Sequence, residues 1–136
     1  MTLSLKEIEL IVGARQGNLF QLQEAIKKGA NVDVRDRDDF TPLLWVSLRG
    51  DYEGVKALLD AGANPNLLGR HGTSTLQCSA NGGYKRCVEA LIQAGANPQT
   101  LHELQRDEYA DVIQAYKKVN YRERHGAIRK YVKMWR

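Results

Sequence analysis

The sequence contains no apolar run approaching the ~20 residues that a bilayer-spanning helix needs. Its opening, MTLSLKEIEL, has no basic region leading into an apolar core. Neither a membrane span nor a secretory signal is expected, which places the chain inside the cell, in the cytoplasm or nucleus. Cysteine is scarce: Cys78 and Cys87 are the two present, with no CxxC spacing and no spaced histidine partner. They read as reduced packing residues rather than as a disulfide or a metal site.

Catalytic signatures are missing as well. The three histidines, His71, His102 and His125, accompany no serine or cysteine motif that would make one of them a base. No Walker loop and no GxGxxG is present, so there is no phosphate cradle. The acidic run Asp36, Asp38 and Asp39 lacks the spacing and closing glutamate of a calcium loop. No catalysis, metal or cofactor is expected.

What is present is ordinary in amount and uneven in arrangement. The 136 residues are 43% hydrophobic and 26% charged, which suits one compact domain. Residues 1–116 carry 12 Lys+Arg and 15 Asp+Glu, whereas residues 117–136 carry 8 Lys+Arg and a single glutamate. The net charge of +4 therefore arises from the C-terminal stretch, and the rest of the chain is slightly acidic.

The strongest pattern is a repeat. Gly-Ala-Asn begins at Gly29, Gly62 and Gly95, a constant step of 33 residues. The same step relates Gly17, Gly50 and Gly83, then Leu10, Leu43 and Leu76, then Leu22, Val55 and Val88, and finally Ile26, Leu59 and Ile92. In the middle copy Thr41 is placed to cap a helix whose first position is Pro42, where the missing N–H costs nothing. That helix runs PLLWVSL toward Gly50. After a GD turn, Tyr52, Val55, Leu58 and Leu59 make an apolar stripe on a second helix, which Gly62 ends. The following ANPNLLGRHGTS is turn-rich, so an extended turn or hairpin is expected before the next helix pair. A fixed period with apolar residues in register means stacked units rather than one globular core.

A helix, turn, helix and extended turn of 33 residues with a Thr-Pro-Leu start resembles the ankyrin repeat. The carrying residues are TPLLWV at Thr41 to Val46 and the three GAN helix ends. The resemblance implies an all-α solenoid of helix-turn-helix units joined by β-hairpin-like turns, with repeats over about 4–36, 37–69 and 70–102 and a divergent helical cap over 103–136. Ile8, Glu9 and Leu10 stand at the first copy's Thr-Pro-Leu positions, so that copy enters without a hairpin. Ser74, Thr75 and Leu76 replace the motif in the third and keep a capping hydroxyl.

By resemblance, the function is that of a non-catalytic adaptor or scaffold, monomeric by itself, that binds another protein through the concave surface of tips and first helices. The implied lining begins with Arg15 and Gln16. It continues through Arg37, Asp38, Phe40, Trp45, Leu48 and Arg49, and ends with Arg70, His71, Thr73 and Asn81. Phe40, at the end of a polar tip, is expected to be exposed. Trp45 is expected to be mainly a core residue between neighbouring first helices, and both are candidate aromatic anchors. Asn66, the hairpin asparagine of GANPN with Leu58 eight residues before it, resembles positions that asparagine hydroxylases modify in the family, although Asn64 replaces the acidic residue usual two before.

The fourth copy loses register, since Arg124 and His125 fall where second-helix leucines belong. A shift that puts AIRKYV in place of GVKALL restores Ile128, Tyr131 and Val132 to apolar positions. The helix before it is expected to begin near Asp107 and to turn Tyr109, Val112, Ile113 and Tyr116 inward. On a helical wheel Arg122, Arg129, Lys133 and Arg136 share one side, beside an apolar arc of Tyr121, Ile128, Val132 and Trp135. The plain reading is a cap over the end of the stack with a solvated basic face. The alternative is a helix that binds an anionic membrane surface, an acidic partner or calmodulin. Nucleic acid is disfavoured because the acidic body offers no continuous basic track.

Overall fold

The computed structural model describes residues 2–118. Three helix pairs follow one another: α1 (Leu5–Gln16) with α2 (Leu19–Lys27), α3 (Pro42–Arg49) with α4 (Tyr52–Asp60), and α5 (Thr75–Asn81) with α6 (Lys85–Gln93). A short helix α7 (Glu103–Glu108) and a further helical stretch over 110–118 close the described part. First helices pack in the order α1, α3, α5, and second helices in the order α2, α4, α6. The described residues contain no strand.

Local chemistry explains the helix starts. Thr41 Oγ1 accepts from the Leu44 N–H at 3.2 Å and Ser74 Oγ from the Gln77 N–H at 2.9 Å, so each hydroxyl satisfies a donor the helix cannot. Asn18 and Asp51 do the same for α2 and α4. The register positions read from the sequence form the core: Leu10, Leu43, Leu76, Leu22, Val55 and Val88 are all at most 1% exposed. Gly13 lets the first pair close tightly, because a Cβ there would stand 2.9 Å from the Leu22 backbone nitrogen.

A hydrogen-bonded ladder links successive units. Asn31, Asn64 and Asn97 each accept, on the side chain, from the backbone N–H two residues on. Two of their own N–H groups donate to the unit before, Asn64 to Asp33 at 2.9 Å and Asn97 to Asn66 at 2.8 Å, while Asn31 donates to Glu7 of its own unit at 3.2 Å. The Asn64 and Asn97 bonds cross between units.

The connecting turns are hairpin-like. Asp36 N–H donates to Phe40 O at 2.9 Å, and one period later Gly69 N–H donates to Thr73 O at 2.8 Å. The third link takes another route: Pro98–Thr100 forms a single 3-10 turn, Leu101 is buried, and His102 N–H donates to Gln77 Oε1 at 2.8 Å. Pinned at Leu101 and His102, the chain turns helical already at Glu103, and a turn at Tyr109 separates this unexpected short helix from the stretch over 110–118, which begins close to Asp107 as expected. The apolar assignment holds, with Tyr109 and Ile113 buried and Val112 and Tyr116 packed against the core. The expected last helix, with Arg122, Arg129, Lys133, Arg136 and its apolar arc, lies outside the described residues.

Candidate interaction surface

The tip after α2 is organised by one carboxylate. Asp36 Oδ1 accepts from the N–H groups of Asp38 at 2.9 Å and Phe40 at 3.0 Å, which folds the tip. Its Oδ2 accepts from Trp45 Nε1 at 2.7 Å, which ties the tip to α3. The acidic run, which lacks the spacing of a metal loop, is occupied in structural bonds at its first member. Among the described residues no cluster of metal-ligating side chains occurs.

Around Trp45 the side chains are stacked rather than merely adjacent. The Phe40 ring meets it edge to face with centroids 4.9 Å apart, and the Arg15 guanidinium lies over the Trp45 ring, 4.9 Å from its centroid. Arg49 Nη1 donates to Arg15 O at 3.2 Å. Gly17, with φ of 71°, makes room for that guanidinium, since a Cβ there would stand 2.6 Å from Arg49 Nη2. A run of aromatic and arginine side chains therefore joins α1, the first tip and α3.

Phe40 is half-buried, not exposed as its polar neighbours suggested. Its ring is covered by Trp45 and approaches Gly69 of the next tip, contacts that only the fold creates. Trp45 is also half-buried and packs against the core while keeping one face in the surface. Arg15, Gln16, Arg37, Asp38, Leu48, Arg49, Arg70, His71 and Asn81 are exposed, and Thr73 is half-buried with its hydroxyl donating to Arg70 O at 2.7 Å. Asn81 Oδ1 accepts from the side-chain amides of Gln77 and Gln105, extending the polar surface toward α7.

Sequence reasoning did not single out Asp36 as the organiser, nor Arg35, whose Nη1 donates to Leu68 O at 2.8 Å and joins one tip to the next. It also missed the apolar end of the surface. There Leu3, Ile8, Ile11 and Val12 line a 340 Å³ cavity with Arg15, Asp36, Arg37 and Asp38. Exposed apolar residues on α1 were the available signal.

Asn66 is held at both ends of its amide: Nδ2 donates to Gly95 O at 2.9 Å and Oδ1 accepts from Asn97 N–H. Its side chain bonds the next unit rather than its own turn. Cys78 and Cys87 are free and buried, and burial raises both thiols above their ordinary value. For Cys87 the Asp51 carboxylate adds to that rise and Arg86 opposes it.

Capped helix pairs, a 33-residue register and projecting tips define a stacked helical repeat protein that presents a preformed surface. The ankyrin-repeat family profile, with three copies, matches residues 10–101, and the chain belongs to the ankyrin-repeat family. It is 44% identical over 71 residues to the DNA-binding protein RFXANK of Homo sapiens, covering 52% of this chain and 27% of that protein. It is 35% identical over 71 residues to human Ankyrin repeat family A protein 2, covering 52% and 23%. Ankyrin repeat protein OPG189 of Variola virus is 41% identical over 58 residues, covering 43% of this chain and 10% of that one. The chain thus matches only about a quarter of the length of the first two relatives and a tenth of the third. Ankyrin repeats are generally protein-protein interaction modules and typically non-enzymatic. Among the described residues no helix is long and apolar enough to cross a membrane.

Proposed function

We propose that the chain is a non-catalytic adaptor or scaffold that binds a partner protein through the concave surface of its tips and first helices. The observation that carries this is the bonded run Arg15, Trp45, Phe40 and Asp36, in which two separate helices and a tip fix one surface before any partner arrives. A surface held in this way loses little ordering entropy on binding. It also sets an aromatic pair beside arginines, the residue types that dominate interface energies. The name of one relative, the DNA-binding protein RFXANK, refers to DNA. Here the body is slightly acidic, which favours a protein partner. A cytoplasmic or nuclear location fits the two free thiols.

Affinity capture from a native extract with the intact chain, with Phe40→Ala and with a chain ending at Lys118 tests this reading. Partners lost with Phe40→Ala support the concave surface. Partners lost only on truncation overturn it in favour of the second reading, binding of an anionic surface, acidic partner or calmodulin by residues 117–136. The 8 basic residues against one acidic residue there motivate that alternative. Such contacts should weaken steeply as salt rises.

A further inference from the structure

Lys27, Lys28 and Lys56 stand on or beside the second helices, each within 3.3 Å of a carboxylate. Arg15, Arg37 and Arg70 stand on the first helix and the tips, and among the described residues none pairs with a carboxylate. Arg49 beside them donates to a backbone carbonyl instead. Of the tip's carboxylates, Asp36 has both oxygens occupied by N–H donors and Asp39 pairs with Arg35, which leaves Asp38. A chain segment whose net charge is negative thus carries three arginines without a carboxylate partner on its first helix and tips, and the planar fork of an arginine matches a carboxylate better than an ammonium does. Beside Arg15 and Arg37 lies the apolar cavity, where Ile8 is 46% and Leu3 37% exposed.

We infer that the concave surface takes an extended acidic peptide, with carboxylates on Arg37 and Arg70 and a neighbouring aliphatic side chain in the cavity beside α1. This rests on the concave-surface reading and specifies its partner. Arg37 and Arg70 occupy the same position one period apart, and stacked helices repeat at roughly 8–10 Å. An extended peptide advances about 3.3 Å per residue and turns alternate residues to one face, so two acidic residues two positions apart, about 7 Å, reach the two arginines. The aliphatic residue lies beyond the carboxylate on Arg37, toward α1. Arg15, held over Trp45, supplies a further cation at the mouth of the cavity.

The test is selection of a displayed library of random peptides of about twelve residues, long enough to span roughly 40 Å, against the intact chain. Enriched peptides are then titrated by fluorescence anisotropy against the wild type, the double variant Arg37→Glu/Arg70→Glu, and Ile8→Ser. All three altered positions are exposed, and circular dichroism checks that the variants fold. The expected result is enrichment of paired acids near one aliphatic residue. Affinity should fall by at least about tenfold in the arginine variant, and again in Ile8→Ser.

Enriched peptides without acidic residues that still lose affinity in Ile8→Ser overturn the acidic partner while leaving the concave surface as a binding site. Peptides indifferent to every variant overturn both. Failure to enrich any peptide, or arginine-dependent binding of a labelled DNA duplex without binding of acidic peptides, also overturns the inference.

Discussion

Trp45 Nε1 donates to the Asp36 carboxylate at 2.7 Å, so a residue inside α3 holds the tip that precedes the helix. The same carboxylate accepts two backbone N–H groups of that tip. Asp36→Ala leaves three donors without their acceptor, and the expected loss is about 1–3 kcal/mol. Urea unfolding measures it. Asp36→Asn keeps one acceptor oxygen and should lose less, and a variant with unchanged stability would show that the tip is not held by this group.

Asn66 and Asp33 occupy the same repeat position yet do different work. Asp33 only accepts, from Asn64 N–H, whereas Asn66 both accepts from Asn97 N–H and donates to Gly95 O. Asp33→Asn should therefore be nearly neutral. Asn66→Asp should destabilise by about 1–3 kcal/mol, because it sets a carboxylate oxygen against a carbonyl oxygen. Thermal unfolding of the two variants side by side gives the contrast, and equal melting temperatures would contradict it.

Gly13→Ala tests the closeness of α1 and α2. A Cβ 2.9 Å from a backbone nitrogen and 3.2 Å from Asn18 O cannot be relieved by a rotamer change. Although alanine favours a helix, overpacking here should dominate and cost about 1–3 kcal/mol. Denaturant titration decides the sign.

The thiols give a pH dependence. Burial raises Cys78 and Cys87 above 9.0, so the folded state holds their protons more firmly than the unfolded state. Their contribution is fully present below pH 9.0 and is lost as pH rises through the folded values. Stability should fall over that alkaline range, and the loss should be smaller in Cys78→Ser/Cys87→Ser once its own lower baseline is subtracted. At pH 8 a thiol reagent should label the native chain slowly and the unfolded chain fast.

The period, the capped starts at Thr41 and Ser74 and the apolar register were legible because each depends on neighbours within a few residues or on a fixed step. The role of Asp36 was not, since DRDD reads as a solvated tip until Trp45 folds back over it. Phe40 misled for the same reason: its local neighbours are polar and its contacts are made by the fold. The extra short helix α7 was hidden because His102 offers no side-chain cap, and Leu101 with the Gln77 bond fixes the turn from a distance. On the candidate surface, the residue types were legible and their pairing was not.

The described closing segment should stabilise the third unit. Tyr109 stands at the register of Leu43 and Leu76 and is 3% exposed, and Ile113 is 7% exposed in the same core as Leu91 and Ile92. Repeat stacks gain stability from neighbour interfaces, so an end unit has one interface fewer to rely on. Tyr109→Ala should cost about 3–5 kcal/mol and Ile113→Ala about 2–5 kcal/mol, against roughly 5–15 kcal/mol for a whole domain. Hydrogen exchange should show the loss first in α5 and α6, with α1 and α2 protected as in the intact chain. Uniform loss of protection would mean instead that the three units unfold as one.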